Sequence, residues 1–136
     1  MPAYDDDHFV PAAPVATVSL RHPGSNASIE NVPMLIDSGA DATLLPESAI
    51  VSLGQAGTGE RYALVSFDGT INESEAVHAV LLFLEKTFRG RFLPVKSEIG
   101  VIGRNVLNRV RLLLDGPALN WEELPQAPRD GGNRGT

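Results

Sequence analysis

Cysteine is absent from the 136 residues, which excludes disulfides, thiolate nucleophiles and thiolate metal centres. Basic residues are few, 11 against 17 aspartates and glutamates, and none form a run. With a formal charge of -6, a nucleic-acid partner is not expected, because binding a phosphate backbone draws on clustered cations. Long apolar runs are also missing. The longest, Val77 to Leu84, is interrupted by His78 and falls far short of the roughly 20 residues a membrane helix needs, so no membrane partner is expected. The N-terminus is acidic and proline-containing instead of basic then apolar, which argues against a secretory signal and for a cytoplasmic protein. No Gly-x-Gly-x-x-Gly, lysine-bearing phosphate loop, Gly-x-Ser-x-Gly elbow or metal-ligand pair occurs, so neither a cofactor nor a metal is expected. Asp5-Asp6-Asp7-His8 reads as an acidic tail.

What is present is concentrated in one segment. The apolar run Met34-Leu35-Ile36 leads straight into Asp37-Ser38-Gly39-Ala40-Asp41, and Thr43-Leu44-Leu45-Pro46 follows. That pattern is a strand ending in a carboxylate on a tight loop, where burial of the strand holds the acid rigidly. One carboxylate alone performs only half of an acid-base cycle, whereas two sharing a proton can act as base and acid together. The chain carries a single Asp-Ser-Gly. Asp68-Gly69, Asp115-Gly116 and Asp130-Gly131 lack the following apolar segment and read as turns. A second carboxylate has to come from another subunit, and a two-fold axis would bring each residue to its own mate.

The stretch Leu35 to Thr43 resembles the active-site segment of retropepsin-like aspartic proteases, in which Asp-Thr-Gly or Asp-Ser-Gly supplies half of a dimeric site. Downstream, Val101-Ile102-Gly103-Arg104-Asn105-Val106-Leu107 resembles that family's apolar-apolar-Gly-Arg-Asn/Asp-x-Leu segment, which leads into a short C-terminal helix. The resemblance covers about residues 15 to 122. It implies an all-β fold, a closed β-barrel or sandwich with a flap hairpin and one short C-terminal helix.

The length suits one domain. Residues 1–14 are expected to be a flexible N-terminal segment, 15–124 the retropepsin-like domain, and 125–136, rich in glycine and proline, a disordered tail. Within the body, Ala16 to Arg21 and Ile29 to Ile36 read as a hairpin that presents Asp37 at its exit, with Pro33 at an edge or bulge. Tyr62 to Phe67 and Ile71 to Val77 form a second hairpin, whose tip has Gly69 where a tight turn needs conformational freedom. Val77 to Leu84 and Phe88 to Val95 are strands. Gly103 to Arg109 is a short helix, and Arg111 to Leu114 with Ala118 to Trp121 makes a closing hairpin, Trp121 being assigned to the core.

By resemblance, Asp37 is the catalytic carboxylate, Ser38 links the paired loops beneath the dyad, and Gly39 permits the turn and offers a carbonyl to substrate. Ala40 belongs to the same loop. Asp41 and Arg104 form an ion pair that ties the helix entrance to the loop, and Thr43 is a loop hydrogen-bonder. Phe67, Asp68 and Gly69 form the flap tip. The expected function is that of a homodimeric aspartic endopeptidase acting on peptide or protein substrates. The alternative is a non-catalytic dimeric peptide-binding or assembly module of the same fold.

Overall fold

Alternation along the second strand sets the inner face of the fold: Ala16, Val18 and Leu20 are buried, while Thr17 and Arg21 are exposed. The computed structural model describes residues 2–54, 57–65, 69 and 71–125, with the backbone alone at 57–65 and 71–74. In chain order the elements are β1 (Tyr4–Asp5), β2 (Ala13–Arg21), β3 (Ser28–Ile36), β4 (Leu44–Pro46), α1 (Glu47–Leu53), β5 (Gly57–Val65), β6 (Ile71–Phe83), β7 (Lys86–Val95), β8 (Gly100–Ile102), α2 (Arg104–Leu107), β9 (Leu112–Asp115) and β10 (Asn120–Glu123).

The main sheet runs β1-β2-β3-β8-β4-β7-β6-β5, and a further pairing of β2 with β6 closes it on itself. β2, β3, β8, β4, β7 and β6 thereby form a closed barrel of six strands, which leaves those strands no long free edge. This is the all-β barrel expected from the sequence, with α2 as its short C-terminal helix. Inside lie Val18, Leu20, Met34, Leu45, Leu81, Phe83, Phe92 and Ile102. Burying such side chains is worth about 1.5–3 kcal/mol each before conformational entropy is charged against it.

β6 is one strand of 13 residues, where the pattern predicted two. It pairs with β5 over Ile71–Val77 and with β7 over Val77–Phe83, changing partner without breaking. Its polar half, Asn72-Glu73-Ser74-Glu75, differs from its apolar half because only the second half enters the barrel wall. The β6–β7 turn is tighter than expected. Leu84 and Glu85 alone make it, both at positive φ (54° and 62°), as the twist of a two-residue hairpin turn demands.

The helix α1 was not anticipated. Glu47 occupies its first turn, Ala49, Ile50 and Leu53 face the core, and Gly54 ends it at φ 76°, donating its N–H to the Ile50 and Val51 carbonyls. Pro33 sits as expected near an edge: β3 pairs with β8 only from Met34 onward, and the β2–β3 ladder is irregular between Val18 and Leu20.

β9 and β10 form the closing hairpin. Trp121 on β10 is 2% exposed, packs tilted against Phe83 with ring centroids 6.2 Å apart, and donates its indole N–H to the Val15 carbonyl at 3.1 Å. At Pro2–Asp5 the expectation of a loose N-terminal segment differs from what is seen. The Trp121 N–H bonds to the Pro2 carbonyl, the Tyr4 N–H bonds to the Leu119 carbonyl, and β1 pairs with β2. The unpaired backbone groups of β10 and β2 supply the partners that composition alone did not reveal.

Candidate active site

β8 lies between β3 and β4, parallel to β3 (Met34↔Gly100, Leu35↔Val101, Ile36↔Ile102) and antiparallel to β4 (Leu44↔Val101). The segment that leaves β3 and returns as β4 must therefore loop over the end of β8. That loop is residues 37–43, and it meets the Gly103-Arg104-Asn105 turn leaving β8. The two sequence motifs are thus brought together by sheet topology.

Their junction is hydrogen-bonded from both sides. The Asp37 N–H donates to the Ile102 carbonyl at 3.1 Å, and the Arg104 N–H donates to the Ala40 carbonyl at 2.8 Å. Arg104 also reaches back with its guanidinium Nη1 to the Ser38 carbonyl at 2.9 Å. Thr43, 1% exposed, is the pin beneath the loop: its hydroxyl oxygen accepts the Gly103 N–H at 3.1 Å and donates to Asn105 Oδ1 at 2.7 Å. The hydroxyl thus serves as both acceptor and donor within the structure.

Asp37 is half-buried at the exit of β3. Its carbonyl accepts the Ala40 N–H at 3.1 Å, and its carboxylate Oδ1 accepts the Gly39 N–H at 2.9 Å. One carboxylate oxygen is therefore oriented by its own loop, while Oδ2 makes no hydrogen bond among the described residues. A Cβ at Gly39 would lie 3.1 Å from Oδ1, so the absence of a side chain there keeps the carboxylate where it is. Ser38 and Gly39 are exposed.

The expected Asp41–Arg104 ion pair is not formed within the chain. Asp41 is exposed, no ion pair joins the two among the described residues, and Arg104 spends its donor on the Ser38 carbonyl instead. A carbonyl lying in the path of the guanidinium satisfies it without ordering a second charged side chain.

Motif reading passed over Gly100 and quoted Gly103 without assigning it a role. A Cβ at Gly103 would collide with the Ala42 carbonyl, and one at Gly100 would meet the Leu44 carbonyl and Met34 Sδ at 2.5 Å. Both permit the close approach of β8 to the loop and to β4, and glycine before and after the two-residue apolar run Val101-Ile102 was the available signal. Beside the loop, Ala42, Ala76, Arg91 and Leu93 line a cavity of about 250 Å³.

Of the expected flap tip, Phe67 and Asp68 lie outside the described residues. Gly69 is exposed with φ 85°, in the left-handed region that a tight turn requires. The C-terminal tail beyond Pro125 also lies outside the described residues. Among the described residues no group of His, Asp and Glu could hold a metal ion, and no helix is long and apolar enough to cross a membrane.

No family model and no curated protein matches this sequence. Among solved structures the chain is similar to EIAV protease complexed with the inhibitor HBY-793, at 18% identity over 71% of this chain and 86% of that one, with a TM-score of 0.49.

Proposed function

We propose that the chain is an aspartic endopeptidase that works as a homodimer, with Asp37 of each copy forming the catalytic pair. The observation that carries this reading is the way Asp37 is held: fixed by the Gly39 N–H at one carboxylate oxygen, anchored by its own N–H to β8, and mounted on a loop pinned by Thr43 and Arg104. A carboxylate so restrained at the rim of a barrel is arranged for chemistry, and the half-site it offers is completed by a second copy across a two-fold axis.

In that dimer the two Asp37 groups share one proton. The ionised member removes a proton from a water as the water oxygen attacks the peptide carbonyl carbon; the protonated member donates to the carbonyl oxygen. Collapse of the tetrahedral intermediate breaks the C–N bond, and the leaving amine takes a proton from the dyad. The substrate lies extended between this floor and the β5–β6 hairpin, which acts as flap with Phe67, Asp68 and Gly69 at its tip. The body, residues 15–124, carries the whole of each half-site.

The test is digestion of a diverse peptide library by wild type and Asp37→Asn, across acidic to neutral pH. Cleavage by wild type that falls at least about 1,000-fold in the variant is expected, since an amide cannot exchange the dyad proton. Cleavage unaffected by the substitution overturns the proposal. Peptide binding without turnover would move the assignment to a binding module.

A further inference from the structure

The outer wall of the barrel at β2, β6 and β7 carries a concentration of positive charge in a chain whose net charge is -6. Strand register places it there. Arg21 on β2 lies opposite Val80 on β6, and Val80 lies opposite Arg89 on β7, so two arginines flank one valine across three adjacent strands. Leu20 points into the core, and alternation turns Arg21 outward. One step along the same face, His78 stands opposite Arg91.

Beside this row lies an open cavity of about 570 Å³, lined by His22, Pro23 and Gly24 of the β2–β3 turn and by His78, Val80 and Arg89 among others, with no carboxylate among the described residues of its lining. Val80, between the two arginines in register, is 2% exposed, and long aliphatic stems are suited to covering such a neighbour. Cover does not account for the head groups. Neither Arg21 nor Arg89 has an ion pair among the described residues, although acids outnumber basic residues 17 to 11. His22 has a defined ring state in this geometry. Its Nδ1 accepts the Gly24 N–H at 2.9 Å, which puts the proton on Nε2 and leaves that nitrogen as a donor.

We propose that this face binds a phosphate group, clamped between Arg21 and Arg89 with His22 as a further donor at the turn. Guanidinium forks suit the several oxygens of a tetrahedral oxyanion, and among the described residues no carboxylate pairs with Arg21 or Arg89 as an internal competitor. The phosphate could be free or borne on a phosphoserine side chain; the chemistry recognised is the same. This site stands on the wall of the barrel and does not depend on the peptidase reading.

The experiment is calorimetric titration at constant ionic strength with inorganic phosphate, with a phosphoserine peptide and with the same peptide unphosphorylated. Saturable 1:1 binding is expected, weakened about tenfold or more by Arg21→Gln and by Arg89→Gln and unchanged by Arg111→Gln, an exposed arginine elsewhere. In the wild-type protein the amides of Gly24 and Gly90 should shift with the same midpoint in NMR spectra, a readout that needs no variant. A phosphopeptide binding at least about tenfold tighter than phosphate identifies a protein-borne group; equal affinity identifies the free ion. No saturable binding, shifts confined to other regions, or equal weakening by Arg111→Gln overturns the proposal.

Discussion

Arg104 and Ser38, 66 positions apart, are joined by a 2.9 Å hydrogen bond from the guanidinium Nη1 to the backbone carbonyl oxygen. The bond fixes the backbone immediately after Asp37 and leaves Asp41 outside the interaction. Arg104→Ala should therefore destabilise the protein by about 1 kcal/mol, below the roughly 1.5–3 kcal/mol of a charge-assisted bond because solvent screens this exposed one. Asp41→Ala should do little, and the double variant should show no coupling beyond about 0.5 kcal/mol in denaturant titrations at fixed protein concentration. A coupling well above that would mean the two side chains interact after all.

Thr43→Val keeps the shape of the side chain and removes the hydroxyl that serves Gly103 and Asn105. The buried Gly103 N–H then loses its acceptor, for a cost of about 1–3 kcal/mol, and Thr43→Ser should recover most of it. Urea unfolding of the three proteins separates the outcomes: a loss in Thr43→Ser with none in Thr43→Val would assign the effect to packing.

Gly103→Ala should be among the most disruptive single changes in the chain. The new methyl would strike the backbone carbonyl of Ala42, which cannot rotate away as a side chain could. Overpacking of that kind costs about 1–3 kcal/mol or more, and it should appear as lower thermal stability with altered amide shifts at residues 40–43. Gly116→Ala, where a Cβ meets nothing within 4 Å, is the matched control.

Asp5 and His8 form a pH-dependent clasp in the N-terminal segment. The Asp5 carboxyl is held below its ordinary value of 3.8, first by the His8 backbone N–H and then by the His8 ring. His8 is raised above its ordinary 6.5 by the hydrogen bond to Asp5 and by that residue's charge. The contribution from raised His8 is complete below its unfolded value and is lost as pH rises through the folded one. The contribution from depressed Asp5 is present above its unfolded value and is lost as pH falls through the folded one. The clasp is therefore fully formed between about pH 4 and 6.5. An NMR titration of the His8 ring should show its midpoint drop in Asp5→Asn; an unchanged midpoint would separate the two residues.

The Asp37 loop was legible because its signal is local: an apolar run, an acid and small residues in fixed order. Of the barrel strands, β2, β3, β6 and β7 were legible from alternation and β-branched content, whereas β4 and β8, three residues each, are too short to show a period; Trp121 was legible from its size. Two features escaped for different reasons. The helix α1 has readable marks, Glu47 in the first turn and Gly54 at the stop, but at seven residues it sits below the length at which helical periodicity is distinct. The insertion of β8 between β3 and β4, and the choice of the Ser38 carbonyl by Arg104, are long-range events that leave no periodic trace. The family resemblance nominated Asp41 for Arg104, whereas geometry gave Arg104 the neutral carbonyl oxygen of Ser38.

The placement of β8 has a consequence for the order in which the chain is made. Most of what shapes loop 37–43 from outside, including the Ile102 carbonyl, the Gly103 N–H, the Arg104 side chain and Asn105, is synthesised some 60 positions after it. At roughly 5–20 residues per second, several seconds separate the emergence of Asp37 from that of the groups that orient it. A growing or truncated chain lacking residues 100–105 holds Asp37 without the hydrogen bonds that frame its loop until nearly the whole barrel has left the ribosome.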